Sequence, residues 1–315
     1  MNEDLLFNID KVSLSNLSNT EEDVFKKIEL RMCEIAFIAD SIASASSEYI
    51  SDGMTVSDIL AVLGDELVSL FSPSLDLKTS SLFNLNRITA DLSDVDKAVF
   101  SDLLLSKFNE RGIHISESDF LEAKESDEVF TYVKNSYSDE AYDVFSQEFE
   151  DPRVMYSESF REACFAVADG RVGYCILPFE ERGGMRIPGI YSMISKLDLK
   201  IASVTPVFGP EGTSDMKYAL VGRGYFIPEI GEDVDRYLEI RVSTDESIES
   251  LLNVAKYFDL SVYRINTMYS DSDENGSSFY SLVLKDGGKS FVAFLIFMTV
   301  FMSNYTPVGI YKNLE

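Results

Sequence analysis

The sequence predicts a multidomain chain: an N-terminal α-helical bundle, a central α/β lobe and a C-terminal unit with the βαββαβ order of a ferredoxin-like fold. Three observations predict it. Residues 1–125 place apolar side chains at helical spacing without strand-like alternation. Residues 126–228 alternate short β-branched or aromatic runs with helical ones, and residues 229–315 read strand, helix, strand, strand, helix, strand.

In the first part, the stretch from Glu21 to Ala45 carries Val24, Ile28, Ile35, Ile38 and Ile42 near helical spacing, and Thr55 to Phe71 repeats this with Ile59, Leu60, Leu63, Leu67 and Leu70. The third helix is the best delimited. Ser93 precedes Asp96 as in a capping box, Val99, Leu103 and Phe108 follow, and Gly112 ends it. An acidic connector from Glu125 to Glu128 follows. The lobe then predicts strands at Val129–Val133, Val154–Tyr156, Val172–Leu177 and Ile201–Val207, with helices at Asp139–Phe149, Ser159–Ala168 and Ile190–Leu197. The last unit predicts strands at Tyr237–Val242, Leu260–Tyr269, Ser278–Leu284 and Val308–Lys312, with helices at Glu246–Phe258 and Ser290–Met302. The run from Phe291 to Met302 is far shorter than the roughly 20 apolar residues of a membrane span and reads as a core helix.

Charge narrows the function. The chain of 315 residues carries 27 Lys+Arg against 54 Asp+Glu, a net −27, which repels nucleic acid and anionic lipid; neither is an expected partner. The excess is uneven. Residues 1–130 hold 10 basic and 26 acidic side chains, whereas residues 151–224 hold 9 of each, so any anion site is expected in the balanced segment. One histidine and three cysteines disfavour zinc sites and Ser-His-Asp chemistry, and neither metal nor cofactor is expected. Cys33, Cys164 and Cys175 sit among apolar residues and read as buried thiols of a reducing cytosol; the N-terminus lacks the pattern of a signal peptide, so a cytoplasmic location is expected. His114, between apolar neighbours in GIHIS, reads as a strand or packing residue.

The stretch FREACFAVADGRVGYCILPFEE, Phe160 to Glu181, followed by IYSMISKLDLKIASVTPV, resembles the first lobe of prephenate dehydratase, in which a helix feeds an "AV..G...YGVLPIENS" strand, then a helix and an "LKI" strand. Upstream, VFTYVKNSYSDEAYDVF is similar to that family's opening strand and Gly-rich loop, with Tyr137-Ser138 and Ala141 at its aromatic-serine signature and Lys134-Asn135-Ser136 in place of its glycines. The C-terminal unit, ending YTPVGIYKNLE, resembles the ACT regulatory domain that follows the dehydratase. Glu29–Ile42, ELRMCEIAFIADSI, is weakly similar to the first helix of the chorismate mutase that opens the fused P-proteins. The resemblance therefore divides the chain into a chorismate-mutase-like domain at 1–125, a truncated prephenate-dehydratase-like α/β domain at 126–228 and an ACT-like domain at 229–315.

What it implies for chemistry is uneven. Prephenate loses its ring hydroxyl and a carboxylate together, so a donor must assist the hydroxyl while cations and amides hold two carboxylates. The family's Thr-Arg-Phe motif matches Met216-Lys217-Tyr218, its Glu-Asn-Ser becomes Glu180-Glu181-Arg182, and only eight residues separate Val207 from Met216 where the family inserts a second lobe. The mutase's active-site lysine falls on Ile42 or Ala43. FGPEGT, Phe208 to Thr213, spells the family's opening loop out of order and reads as a turn replacing the missing lobe.

The resemblance thus implies Ser138, Glu180 and Lys217 as catalytic positions. Arg182 and Arg186, flanking Gly183-Gly184, read either as forks for a carboxylate or as a solvated loop paired with Glu180 and Glu181. In the ACT-like unit the phenylalanine-binding motifs become Ser247-Ile248-Glu249 and Asn266-Thr267-Met268-Tyr269, so Ser247, Asn266 and Thr267 are the effector candidates, and assembly of a homo-oligomer through this unit is at least as strong an expectation. Two functions follow from the resemblance: a P-protein-like chain of phenylalanine biosynthesis that has lost catalysis and regulates, senses an amino acid or scaffolds, and a divergent dehydratase converting prephenate to phenylpyruvate. The expected small-molecule partner is prephenate or a phenylalanine-like compound.

Overall fold

The computed structural model describes residues 93–314 except 125, 182–183, 209–214, 229–234, 245–246, 270–277, 288–290 and 303–304, together with scattered positions between 26 and 60. Among the latter, Ile35, Ile38, Ile42, Ile59 and Leu60 are helical and buried, as their spacing predicts; Val24, Ile28, Leu63, Leu67 and Leu70 lie outside the described residues.

Helix α1, Asp94–Glu110, starts at the predicted cap: the Ser93 hydroxyl accepts from the Asp96 N–H while the Asp96 carboxylate accepts from the Ser93 N–H. Gly112, at φ +74°, ends it. Its buried face is Phe100, Leu104 and Phe108, with Val99 and Leu103 half-buried, one position round from the sequence reading. The rotation follows from its neighbour. Helix α6, Phe291–Phe301, packs Ile296 and Val300 against Phe100, Leu104 and Phe108, and Phe294, Phe297 and Met298 toward the C-terminal sheet. A helix covered on two sides must be apolar all round, which is why this segment lacks polar spacing.

Among the described residues nine strands form one sheet: β1 Val129–Tyr132, β2 Arg153–Tyr156, β3 Tyr174–Glu180, β4 Lys200–Phe208, β5 Asp215–Gly222, β6 Arg236–Ser243, β7 Ser261–Tyr269, β8 Ser278–Lys285 and β9 Tyr305–Asn313, in the order β2-β1-β3-β5-β4-β9-β6-β8-β7. The first half is mixed. β1 is parallel to β2 and β3, while β5 runs antiparallel to β3 and β4. Three helices cover it: α2, Ser136–Phe145, on one face, and α3, Phe160–Ala168, with α4, Pro188–Lys196, on the other. α2 begins three residues before the expected Asp139 because Asn135, not a later residue, caps it, and its last predicted turn is a separate 3₁₀ segment, Ser146–Glu148. The second half has the order β9-β6-β8-β7, with α5, Ile248–Tyr257, and α6 on one face, which is the predicted βαββαβ arrangement.

β5 is the strand the sequence reading omits. DMKYALVG alternates Met216, Tyr218 and Leu220 with Lys217, Ala219 and Val221, the period of a strand packed on both faces, but its use as a motif masked that pattern. β4 and β5 are adjacent and antiparallel, with Phe208 opposite Asp215; the FGPEGT residues 209–213 between them lie outside the described residues. The two halves join where β4 runs parallel to β9. Gly309 sits opposite Ile201, and a Cβ there would lie 2.6 Å from the Ile201 carbonyl oxygen.

Two sequence expectations are overturned. Cys33 is exposed on its helix, because apolar neighbours in sequence do not share its helical face; Cys164 and Cys175 are buried as expected. His114 is neither in a strand nor packed: it lies in a loop, exposed, with Ile115 turned inward beside it.

Candidate functional site

The site forms where the N-terminus of α4 meets the face of the C-terminal sheet that α5 and α6 leave open. β3 ends in Glu180, the chain turns through Gly184 at φ +87°, and an isolated bridge returns Arg186 opposite Glu180 just before Pro188 starts α4. This brings Arg186 against β6 and β9.

Arg186 is buried and joins two carboxylates. Its Nη1 donates to Glu180 at 2.5 Å and its Nη2 to Glu239 at 2.7 Å, while the guanidinium lies 4.0 Å from the centre of the Phe179 ring. Glu239, in mid-β6 and without exposure, also accepts from Ser281 at 2.7 Å and from the Tyr311 hydroxyl at 3.0 Å. Glu180 accepts in addition from Arg264 of β7, whose guanidinium lies over Gly184: a Cβ at Gly184 would come 2.7 Å from it. The Lys217 ammonium stands 3.9 Å from the other oxygen of Glu180 and 5.8 Å from the centre of the Tyr263 ring. Burial alone would lower the Arg186 pKa, but Glu239, Tyr311 and Glu180 around it outweigh that and hold its proton more firmly. Burial, then Glu239, push the Tyr311 phenol well above its ordinary range, so it remains a donor.

Of the sequence candidates, Glu180, Arg186 and Lys217 therefore meet. Arg186 does pair with Glu180, but inside the protein and not in a solvated loop; Arg182 lies outside the described residues. Ser138 does not join them. It is fully buried in the first turn of α2, where its hydroxyl accepts from Asn135 Nδ2 at 2.9 Å, and α2 packs Ala141 and Phe145 into the same cluster as Tyr218. Tyr218 and Lys217 are consecutive in β5, so their side chains leave opposite faces of the sheet, and Ser138 is on the face away from Glu180. The Asn135 side chain also accepts from the N–H groups of Tyr137 and Ser138, filling the α2 N-terminus where an anion would otherwise sit.

The effector candidates separate as well. Ser247 is the exposed cap of α5, accepting from the Ser250 N–H. Asn266 and Thr267 alternate in β7: Asn266, opposite Ser281, is on the Arg264 face with a buried Nδ2 that has no partner among the described residues, whereas Thr267 is exposed on the other face.

Sequence reasoning missed Glu239, Arg264 and Tyr311. The available signal was Glu239 itself, a carboxylate in the middle of RYLEIRVS, where Leu238, Ile240 and Val242 fill one face and an unpartnered charge on the other would be costly. A small recess opens beside the network, lined by Glu180, Arg186, Val204, Lys217, Tyr237, Tyr263, Tyr311 and Asn313. Among the described residues no cluster of His, Cys, Asp and Glu suits a metal ion, and no helix is long and apolar enough to cross a membrane.

No family model matches the chain, and no curated protein matches it. Among solved structures it is similar to a prephenate dehydratase from Streptococcus mutans, at a TM-score of 0.48 and 14% identity over 59% of this chain and 99% of the other. It is also similar to GqqA, described as a novel type of quorum quenching acylase, at a TM-score of 0.44 and 14% identity over 59% and 95%. A prephenate dehydratase from Arthrobacter aurescens in complex with L-Phe gives a TM-score of 0.40 and 10% identity over 58% and 89%. These are likenesses of fold.

Proposed function

We propose that the chain is a prephenate-dehydratase-like protein of phenylalanine biosynthesis that no longer catalyses the dehydration and acts as a regulatory, sensing or scaffolding homologue, with a helical domain at 1–125, a truncated lobe at 126–228 and an ACT-like unit at 229–315 that carries assembly. The observation that carries this reading is Arg186: the guanidinium that would hold a substrate carboxylate is buried between Glu180 and Glu239. The other groups such chemistry would use are engaged in the same way. Ser138 is buried and bonded, Met216 replaces the motif's hydroxyl, and Asn135 fills the helix N-terminus. Opening the Arg186 pairs to admit a substrate would strand the buried carboxylate of Glu239, at a cost of about 3–5 kcal/mol for a broken buried pair.

The deciding experiment is incubation with prephenate over a wide range of protein concentrations. The expected result is no phenylpyruvate above the uncatalysed background; formation in proportion to protein would overturn the reading. One observation favours the alternative, a divergent dehydratase: Lys217, Glu180 and Arg186 do meet beside one recess. In that case Lys217→Ala and Arg186→Ala would each abolish the turnover.

A further inference from the structure

The two oxygens of Glu180 are used unequally. Arg186 and Arg264 both donate to Oε2, whereas no described residue hydrogen-bonds Oε1, in a side chain that is 6% exposed. The nearest cation to Oε1 is the Lys217 ammonium at 3.9 Å, which is close enough for an ion pair and too far for a hydrogen bond. A carboxylate oxygen in so buried a position is costly to leave without a donor.

A buried donor is left over as well. Arg186 Nε has no partner among the described residues, while Nη1 is taken by Glu180 and Nη2 by Glu239 and Tyr311. Glu180, Arg186 and Lys217 all line the recess described above, and the recess has room for one water molecule and no more. Two of the hydroxyls on its walls are committed elsewhere: Tyr237 donates to Asp235 at 3.4 Å and Tyr311 to Glu239 at 3.0 Å. What the recess calls for is a neutral molecule that donates to Oε1 and accepts from two cations. At this size that molecule is water, and an ion pair opened beyond 3.5 Å is where a bridging water belongs.

We infer that the recess is a hydration site for one structural water, which donates to Glu180 Oε1 and accepts from Lys217 Nζ and Arg186 Nε. Its second proton faces the amide of Asn313 at the end of β9. Three bonds are the ordinary complement of a buried water. The water makes Lys217 a positioning residue: the ammonium on β5 holds the carboxylate at the end of β3 through solvent, and that carboxylate in turn holds Arg186 against Glu239. A water bound in this way also resists displacement by any group that cannot reproduce its bonds. The inference goes beyond the proposed role and does not depend on it, since the site is the same whether or not the chain turns over prephenate.

The test is a crystal structure of the full chain at a resolution that places solvent, with Lys217→Met and Lys217→Arg in the same crystal form. The unaltered protein is expected to show one solvent peak within about 2.6–3.2 Å of Glu180 Oε1, Lys217 Nζ and Arg186 Nε. Its occupancy should fall by at least half in Lys217→Met. In Lys217→Arg the guanidinium should take its place and bond Oε1 directly. A recess without a peak, a peak out of reach of any of the three groups, anomalous scattering that identifies chloride, or Lys217 bonded directly to Glu180 in the unaltered protein would each overturn the inference. So would an occupancy that neither substitution changes. Should Lys217→Met fail to fold, the unaltered protein and Lys217→Arg decide the matter.

Discussion

Arg186 and Glu239 are 53 positions apart in sequence and 2.7 Å apart in space, one in the bridge that precedes a lobe helix and the other in the middle of a C-terminal strand. Their contact is the polar centre of an otherwise apolar junction, in which Phe179 and Tyr191 of the lobe face Phe279 and Tyr311 of the C-terminal sheet. A lone charge there would be expensive, so each member of the network depends on the others.

Arg186→Met removes the cation that Glu239 pairs with and is expected to destabilise the chain by about 3–5 kcal/mol, the cost of stranding a buried charge. Glu180 retains Arg264 and Lys217, so the loss is concentrated at Glu239. The double variant Arg186→Met/Glu239→Gln should then be more stable than Arg186→Met alone, because the neutral amide removes the stranded charge. Urea unfolding of the single and double variants measures this. Equal stability of Arg186→Met and the unaltered chain would mean that the pair is not a structural clamp.

Asn135→Ala frees the N–H groups of Tyr137 and Ser138 and withdraws the donor from the Ser138 hydroxyl. The expected loss is about 1 kcal/mol, that of an N-cap. Asn135→Asp keeps the acceptor and should lose less. Thermal unfolding of the two variants distinguishes the cap from a passive loop residue, for which both would match the unaltered chain.

The course of the C-terminal unit was legible because its elements have clean periods: every predicted strand and helix there is present with small shifts at the ends. The capping box at Ser93 was legible for the same reason, a local motif with a local partner. What could not be read was contact between remote segments. Nothing in the spacing of Arg186 places it on Glu239 and Tyr311; the sequence reading offered a fork for a carboxylate or a solvated loop paired with Glu180 and Glu181, and of these only the Glu180 pair is present, buried. Residue-by-residue resemblance likewise grouped Ser138 with Lys217, whereas strand alternation at Tyr218 puts them on opposite faces of the sheet. Asn266 and Thr267 were paired by adjacency, and adjacency in a strand is what separates them.

The cysteines give a direct check on burial. Cys33 is exposed, while Cys164 and Cys175 are buried, and burial pushes the Cys175 thiol well up. A thiol-reactive chromophore should label one of the chain's three cysteines rapidly in the native protein and all three after denaturation. Cys33→Ser should abolish the rapid phase; persistence of that phase would mean that α3 opens readily from β3.

Gly309→Ala tests the seam between the halves of the sheet. The added Cβ would lie 2.6 Å from the Ile201 carbonyl oxygen and 2.8 Å from its Cβ, and both are held by the β4–β9 pairing. Since backbone must move, the expected cost is about 1–3 kcal/mol. Hydrogen exchange should locate it, with faster exchange at β4 and β9 and unchanged protection in β8.

Alkaline pH should weaken the same junction. Burial pushes the phenols of Tyr191 and Tyr311 above the usual 10.0, with Glu239 adding to both. The folded chain therefore holds these protons where the unfolded chain has released them, so their contribution is complete below about pH 10 and declines as pH rises beyond it. Each group contributes a slope of about −1.4 kcal/mol per pH unit between its unfolded and folded values. Urea unfolding at a series of pH values above 10 is expected to show this fall, with tyrosinate absorbance from the buried rings appearing together with unfolding. Tyr311→Phe should reduce the slope by about 1.4 kcal/mol per pH unit, while lowering stability at neutral pH through the lost bond to Glu239. An unchanged slope in Tyr311→Phe would mean that this phenol titrates freely in the folded chain and is not sealed behind Arg186.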